Sequence, residues 1–166
     1  PTQKLYDIYF TWGKYFSKNF MKRNESKESI FLDVGYVADS HFVFSANSAK
    51  KIREKFKVNY TVSYFDNNTG NDFELSESMA LEMMNMFIEL LEKYDYMALL
   101  LKPKRQDEID LFLNKFSKFK NYLDSGRIII FLNQNPREKF APATIGMASD
   151  LVVGLGLNTA AIECFF

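Results

Sequence analysis

From Ser76 to Tyr94 the apolar residues Met79, Met83, Met86, Phe87, Leu90 and Leu91 recur at spacings of three and four, which predicts a helix with one buried face. Ser76 or Ser78 supplies its cap, and Glu77 in the first turn complements the helix dipole. A second amphipathic helix is predicted over 107–124, with Ile109, Phe112, Leu113, Phe116, Phe119 and Leu123 on one side and Gly126 as its stop. Around these helices lie four short runs of another kind: Val58 to Phe65, Met97 to Leu101, Arg127 to Leu132 and Leu151 to Leu157. They are apolar without strict alternation, as strands covered on both faces must be. A short helix near Pro142 to Ala148 precedes the last run. Such alternation of strands and helices means parallel strands with right-handed crossovers. The expected architecture is α/β, a Rossmann-like three-layer open parallel sheet over residues 58–166.

Residues 1–57 are patterned differently. A strand-like Asp7 to Trp12 leads through Gly13 into a basic helical stretch, Lys14 to Arg23. After a polar turn, Asn24 to Ser29, come a strand-like Ile30 to Val34 and a helix at about Ser48 to Lys55. Two readings fit: the first β/α unit of the same sheet, or a crossover from a preceding domain. The chain starts at Pro1 without a methionine and stops at Phe166 inside a helix barely begun. A fold truncated at both ends, cut from a longer polypeptide, is therefore expected.

Composition narrows the classes. With 17 Phe, 9 Tyr and 47% hydrophobic residues, the chain has enough apolar surface to offset its conformational entropy, which excludes a disordered polypeptide. The 21 Lys+Arg balance 21 Asp+Glu, so nucleic acid is not an expected partner, and any anionic surface would have to be met by a local patch. Lysines interleaved with aromatics between Tyr15 and Arg23 suggest RNA contact, but an amphipathic surface helix explains them more simply. The single cysteine, Cys164, reads as a small packed side chain in a reducing, cytoplasmic compartment. No apolar run approaches the roughly 20 residues needed to span a bilayer; contact with the inner membrane face would come through regions outside this chain. One His and one distant Cys make no metal site.

In an open parallel sheet, ligands bind beyond the carboxyl ends of the strands, which selects residues 66–72, 102–105, 133–136 and 158–163. The most informative stretch is Gly154-Leu155-Gly156-Leu157-Asn158-Thr159-Ala160-Ala161-Ile162-Glu163. Glycines such as Gly156 let a backbone approach closely, and Asn158 or Thr159 caps a helix whose free amides suit a phosphate or diphosphate. Glu163, about one turn on, is placed for a ribose hydroxyl. A plainer reading is open too, since every such turn needs a cap and a first-turn Glu is ordinary dipole compensation. The stretch nearly spells G-x-G-x-x-G, with Thr159 for the third glycine, but the acidic residue due about 20 positions later is missing, so a nicotinamide enzyme is not expected. In Lys102-Pro103-Lys104-Arg105, Lys102 stands nearest the strand end and is the candidate for a phosphate; Lys104 and Arg105 read as solvated loop. Asp66 opens a turn cluster, Asp66-Asn67-Asn68-Thr69-Gly70, that local side-chain chemistry explains; it is also placed to serve as an acceptor or a base. No catalytic residue and no metal ligand is assigned.

These blocks resemble, in order along nearly the whole chain, the donor-binding half of GT-B glycosyltransferases and their relatives among bacterial surface-carbohydrate biosynthesis proteins. The resemblance is carried by Ala148-Ser149-Asp150 leading into a strand, and by Asn158-Thr159-Ala160-Ala161-Ile162-Glu163. Tyr9-Phe10-Thr11-Trp12-Gly13, Val34-Gly35-Tyr36-Val37-Ala38-Asp39, Ser63-Tyr64-Phe65-Asp66 and Leu100-Leu101-Lys102-Pro103-Lys104 add to it. It implies the C-terminal, nucleotide-binding half of a two-domain GT-B enzyme that transfers a sugar or an alditol phosphate in making a bacterial surface polysaccharide such as a capsule. The implied partners are a nucleotide-sugar or CDP-alditol donor and a polysaccharide or lipid-linked acceptor, the latter held by a domain outside this chain. By the same resemblance Asn158 and Thr159 hold the donor diphosphate, Glu163 the ribose, and Lys102 stands near the phosphates. The donor is a substrate, no cofactor is called for, and the piece is not expected to act alone. A sugar-nucleotide epimerase of the same architecture and a non-catalytic α/β interaction domain are the alternatives.

Overall fold

The computed structural model describes residues 8–23, 29–36, 40–56, 58–66, 76–132, 142–155, 160, 161 and 164. Its contacts divide the chain into two compact units, residues 1–40 and 41–166.

In the first unit, β1 (Ile8–Thr11) and β2 (Ile30–Asp33) pair in parallel, Ile8 against Ile30 and Thr11 against Asp33, with α1 (Lys14–Arg23) as the crossover. They form a two-stranded sheet of their own, so the first strands do not extend the larger sheet. Thr11 is buried, and Tyr9 stacks on Phe31 at 5.2 Å. Ile8, Phe10, Ile30 and Leu32, alternating with them, are exposed. Asp33 accepts a hydrogen bond from the Thr11 hydroxyl at 2.6 Å, and bonds from Thr11 and then Ser17 hold its carboxyl below the usual range.

The second unit runs from α2 (Ser40–Glu54), whose first residue is the last of the first unit, through β3 (Tyr60–Phe65), α3 (Glu77–Lys93), β4 (Met97–Lys102), α4 (Gln106–Lys115), α5 (Ser117–Asp124), β5 (Ile128–Ile130) and α6 (Pro142–Met147) to β6 (Leu151–Gly154). All four strands are parallel, in the order β5-β4-β3-β6. The expected α/β, three-layer parallel sheet is thus present. On one face Val62, Tyr64, Leu99, Leu101 and Ile128 pack against Met84, Phe87, Ile109, Phe112 and Phe119; on the other, Phe65 and Leu100 meet Ala49, Ile52 and Ile145. Leu99, Leu100 and Leu101 lose all exposure, each burial contributing roughly 1.5–3 kcal/mol.

Local chemistry sets the helix ends. Ser76 accepts from the Met79 amide at 3.4 Å to start α3. Gly126, at φ +74°, stops α5 as expected, its amide bonding Leu123 O while the Arg127 amide bonds Tyr122 O. Three expectations need correcting. The buried stripe of α3 is Ala80, Met84, Phe87, Ile88 and Leu91, and Met79 and Met86 fall on its exposed margins. The helix expected over 107–124 is two, because Phe116 is extended (φ −121°, ψ 100°); the break keeps Phe112 and Phe119 together in the core, ring centroids 5.8 Å apart. Finally, α2 starts at Ser40 rather than about Ser48. Its first half carries exposed Val43 and Phe44 while buried Ser45 accepts a hydrogen bond from Thr144 at 2.7 Å, a pattern with no apolar period to read.

The amino ends of the strands are tied by charged side chains. Asp150 Oδ2 accepts from the Thr61 amide at 2.7 Å and meets the Arg53 guanidinium at 2.8 Å. Arg127 donates to Met97 O at 3.0 Å, to Leu91 O at 2.7 Å and to Tyr94 O, satisfying carbonyls at the end of α3.

Candidate functional site

From β3 the chain steps outward to β4 and β5, then returns to lay β6 on the other side of β3. Counted from β3, the order is 3-2-1-4, the opening of the Rossmann-type strand order, and β3 beside β6 is its switch point. A cleft of about 520 Å³ opens at the carboxyl ends of these strands, within the roughly 300–1,000 Å³ usual for small-molecule sites. Phe65 and Asp66 line it from β3, Lys102, Pro103 and Lys104 from β4, Leu132 after β5, Pro142 at the start of α6, and Ala160 beyond β6. Leu155 continues the β6 pairing, its amide donating to Phe65 O at 3.1 Å.

Asp66 and Lys102, expected at strand ends, are brought to this one cleft. Asp66 is 3% exposed. Its Oδ1 accepts from the Lys104 amide at 2.9 Å, while Oδ2 is buried with no hydrogen bond among the described residues. That bond crosses from β3 to the turn after β4, so Asp66 helps to set the Lys102–Lys104 backbone. Lys102 is half-buried, and burial lowers its pKa. It has no ion-pair partner among the described residues, and an anion entering the cleft would meet a poorly solvated cation.

Gly156, Asn158, Thr159 and Glu163 lie outside the described residues. Ala160, between them, is described and lines the cleft. Cys164 packs close against α6: its thiol donates to Ala160 O at 3.3 Å, and a Cβ on Gly146 would come within 2.4 Å of its sulfur.

Sequence reasoning passed over two buried polar groups, one on α4 and one on β3. Glu108, in the first turn of α4, is buried with neither carboxyl oxygen hydrogen-bonded. Burial raises its pKa, opposed by the nearby amides of Arg105 and Lys104. The buried Tyr64 hydroxyl also lacks a partner, and its pKa is raised by burial and then by the charge of Glu108. A signal was present: Glu108 stands four residues before Phe112, in phase with the buried stripe of α4.

Among the described residues no three His, Cys, Asp or Glu side chains gather as a metal site, and no helix is long and apolar enough to cross a membrane. No family model matches the chain, and no curated protein matches it. Chemically, the cleft offers a cation for a phosphate and a fixed carboxylate with one uncommitted oxygen for a hydroxyl or N–H.

Proposed function

We propose that the second unit is the donor-nucleotide-binding domain of a glycosyltransferase-like enzyme, one that transfers a sugar or an alditol phosphate in bacterial surface polysaccharide biosynthesis. The observation that carries this reading is the meeting of Lys102 and Asp66 in one cleft at the switch point of the sheet. Dinucleotide enzymes place an acid at the end of the second strand to hold a ribose hydroxyl. Here that position is Lys102, which suits a phosphate. In the proposed reaction Lys102 stabilises the negative charge that gathers on the leaving group, a nucleoside diphosphate when a sugar is transferred and CMP when an alditol phosphate is transferred from a CDP-alditol, and partial desolvation strengthens that interaction. Asp66 holds the turn in place and accepts from a donor group of the ligand. Asn158, Thr159 and Glu163, in the segment flanking Ala160, are the proposed diphosphate and ribose contacts, with Gly156 leaving room for the approach.

Calorimetric titration of the chain with UDP, CDP and CMP tests the proposal. At least one is expected to bind with a submillimolar Kd. Lys102→Met should weaken that binding about tenfold or more, the effect of losing a charge-assisted hydrogen bond of roughly 1.5–3 kcal/mol. Failure of all three to bind at millimolar concentration would remove the donor-binding reading.

A further inference from the structure

The outer side of α1 is a strip of cations set among exposed aromatic rings. The helix Lys14-Tyr15-Phe16-Ser17-Lys18-Asn19-Phe20-Met21-Lys22-Arg23 contains no acidic residue. Ser17 is buried and marks the inward side; at 100° per residue Tyr15, Lys18 and Lys22 then point away from it, with Lys14 at the margin. Tyr15 is 77% exposed, Phe16 44% and Trp12 38%. Asp33 is the acid near Lys14, while Lys18 and Lys22 have no ion-pair partner among the described residues.

We propose that this face of α1 docks on an anionic bilayer surface. Charge complementarity selects a negative partner, and the rings argue for lipid over nucleic acid. Trp12 meets Phe16 at 66° and Tyr36 at 89°, and Tyr15 meets Phe16 at 89°. Rings turned edge to face against one another do not form a row of platforms for successive bases. The headgroup layer, by contrast, takes amphipathic rings at its boundary while lysines remain in water with the phosphates. Ten residues, about 15 Å of helix, lie readily in that layer and are far too short to cross it.

The test is co-sedimentation of the full chain with vesicles of phosphatidylcholine alone and of phosphatidylcholine containing about one-third phosphatidylglycerol. Binding to the anionic vesicles is expected, and it should be lost between about 0.1 M and 1 M salt as the screening length contracts. Each of Lys18→Gln and Lys22→Gln should lower partitioning about fivefold, and the pair about 25-fold. Lys50→Gln with Lys51→Gln, an equal charge change on the exposed side of α2, should leave it unchanged. All four lysines are exposed, and unchanged circular dichroism would establish folding. Equal binding to both vesicle types, no binding to either, an equal loss from the α2 pair, or capture of single-stranded RNA without vesicle binding would each overturn the proposal.

Discussion

The two ends of the four-stranded sheet share one hydrophobic core and differ in how their polar groups are treated. At the amino ends, Asp150, Thr61 and Arg53 bind one another, and Arg127 caps three carbonyls. At the carboxyl ends, among the described residues, Asp66 Oδ2 and the Tyr64 hydroxyl have no hydrogen-bond partner, the buried Glu108 carboxyl is met only by the nearby amides of Arg105 and Lys104, and Lys102 is partly desolvated. A buried polar group without a partner costs stability, so the carboxyl ends carry a cost that the amino ends avoid. Of these groups, Asp66 and Lys102 border the open cleft. The contrast makes the carboxyl ends the candidate site and the amino ends a structural clamp.

Mutations that exchange these characters test the contrast. The largest effect is expected from Arg127→Ala, which strips hydrogen bonds from Leu91, Tyr94 and Met97 carbonyls at once and should lower unfolding free energy by about 3 kcal/mol. Chemical denaturation measures it; a loss within experimental error would show that the amino end is not a clamp. Next comes Glu108→Gln, with the opposite sign. Burial raises the Glu108 pKa, so the folded chain keeps its full stability below the ordinary carboxylate range and loses stability relative to the unfolded chain as pH rises through the raised value, where ionisation leaves a charge in a buried site. The variant should match the wild type in acid, below the ordinary carboxylate range, and exceed it by about 1–2 kcal/mol at neutral pH, the cost of an unpaired buried group. Parallel stability curves across that pH range would show that Glu108 does not titrate in this way. Asp150→Ala should cost about 1 kcal/mol, since Thr61 loses an acceptor at a half-exposed position. Smallest in stability is Lys102→Met, expected within about 0.5 kcal/mol of the wild type while nucleotide or phosphate affinity falls. A large destabilisation by that change would mark Lys102 as structural and erase the difference between the two ends.

Much of this was legible in the chain because it is local. The apolar runs expected at 58–65 and 97–101 became strands at 60–65 and 97–102, Ser76 became a cap and Gly126 a stop, since each depends on neighbours within a turn. Asp66 and Lys102 were found by the strand-end rule alone. The phase of Glu108 with Phe112 marked it as inward-facing, but the missing bonds of Glu108 and Tyr64 were not legible, because desolvation depends on what covers a group, and their cover comes from other elements. The break at Phe116 was hidden as well: periodicity reports which side chains go inward and is silent on whether the backbone turns between them.

The sequence by itself determined that this protein alternates strands and helices, that Ser76 starts one helix and that Gly126 stops another, because those properties rest on spacing and capping over a few residues. Tertiary structure alone decided that β6 returns beside β3, that β1 and β2 pair apart from the other four strands, and that residues 66, 102, 132, 142 and 160 border one cleft. Strand order and charge desolvation arise from contacts between residues far apart in the chain, and no local pattern encodes them.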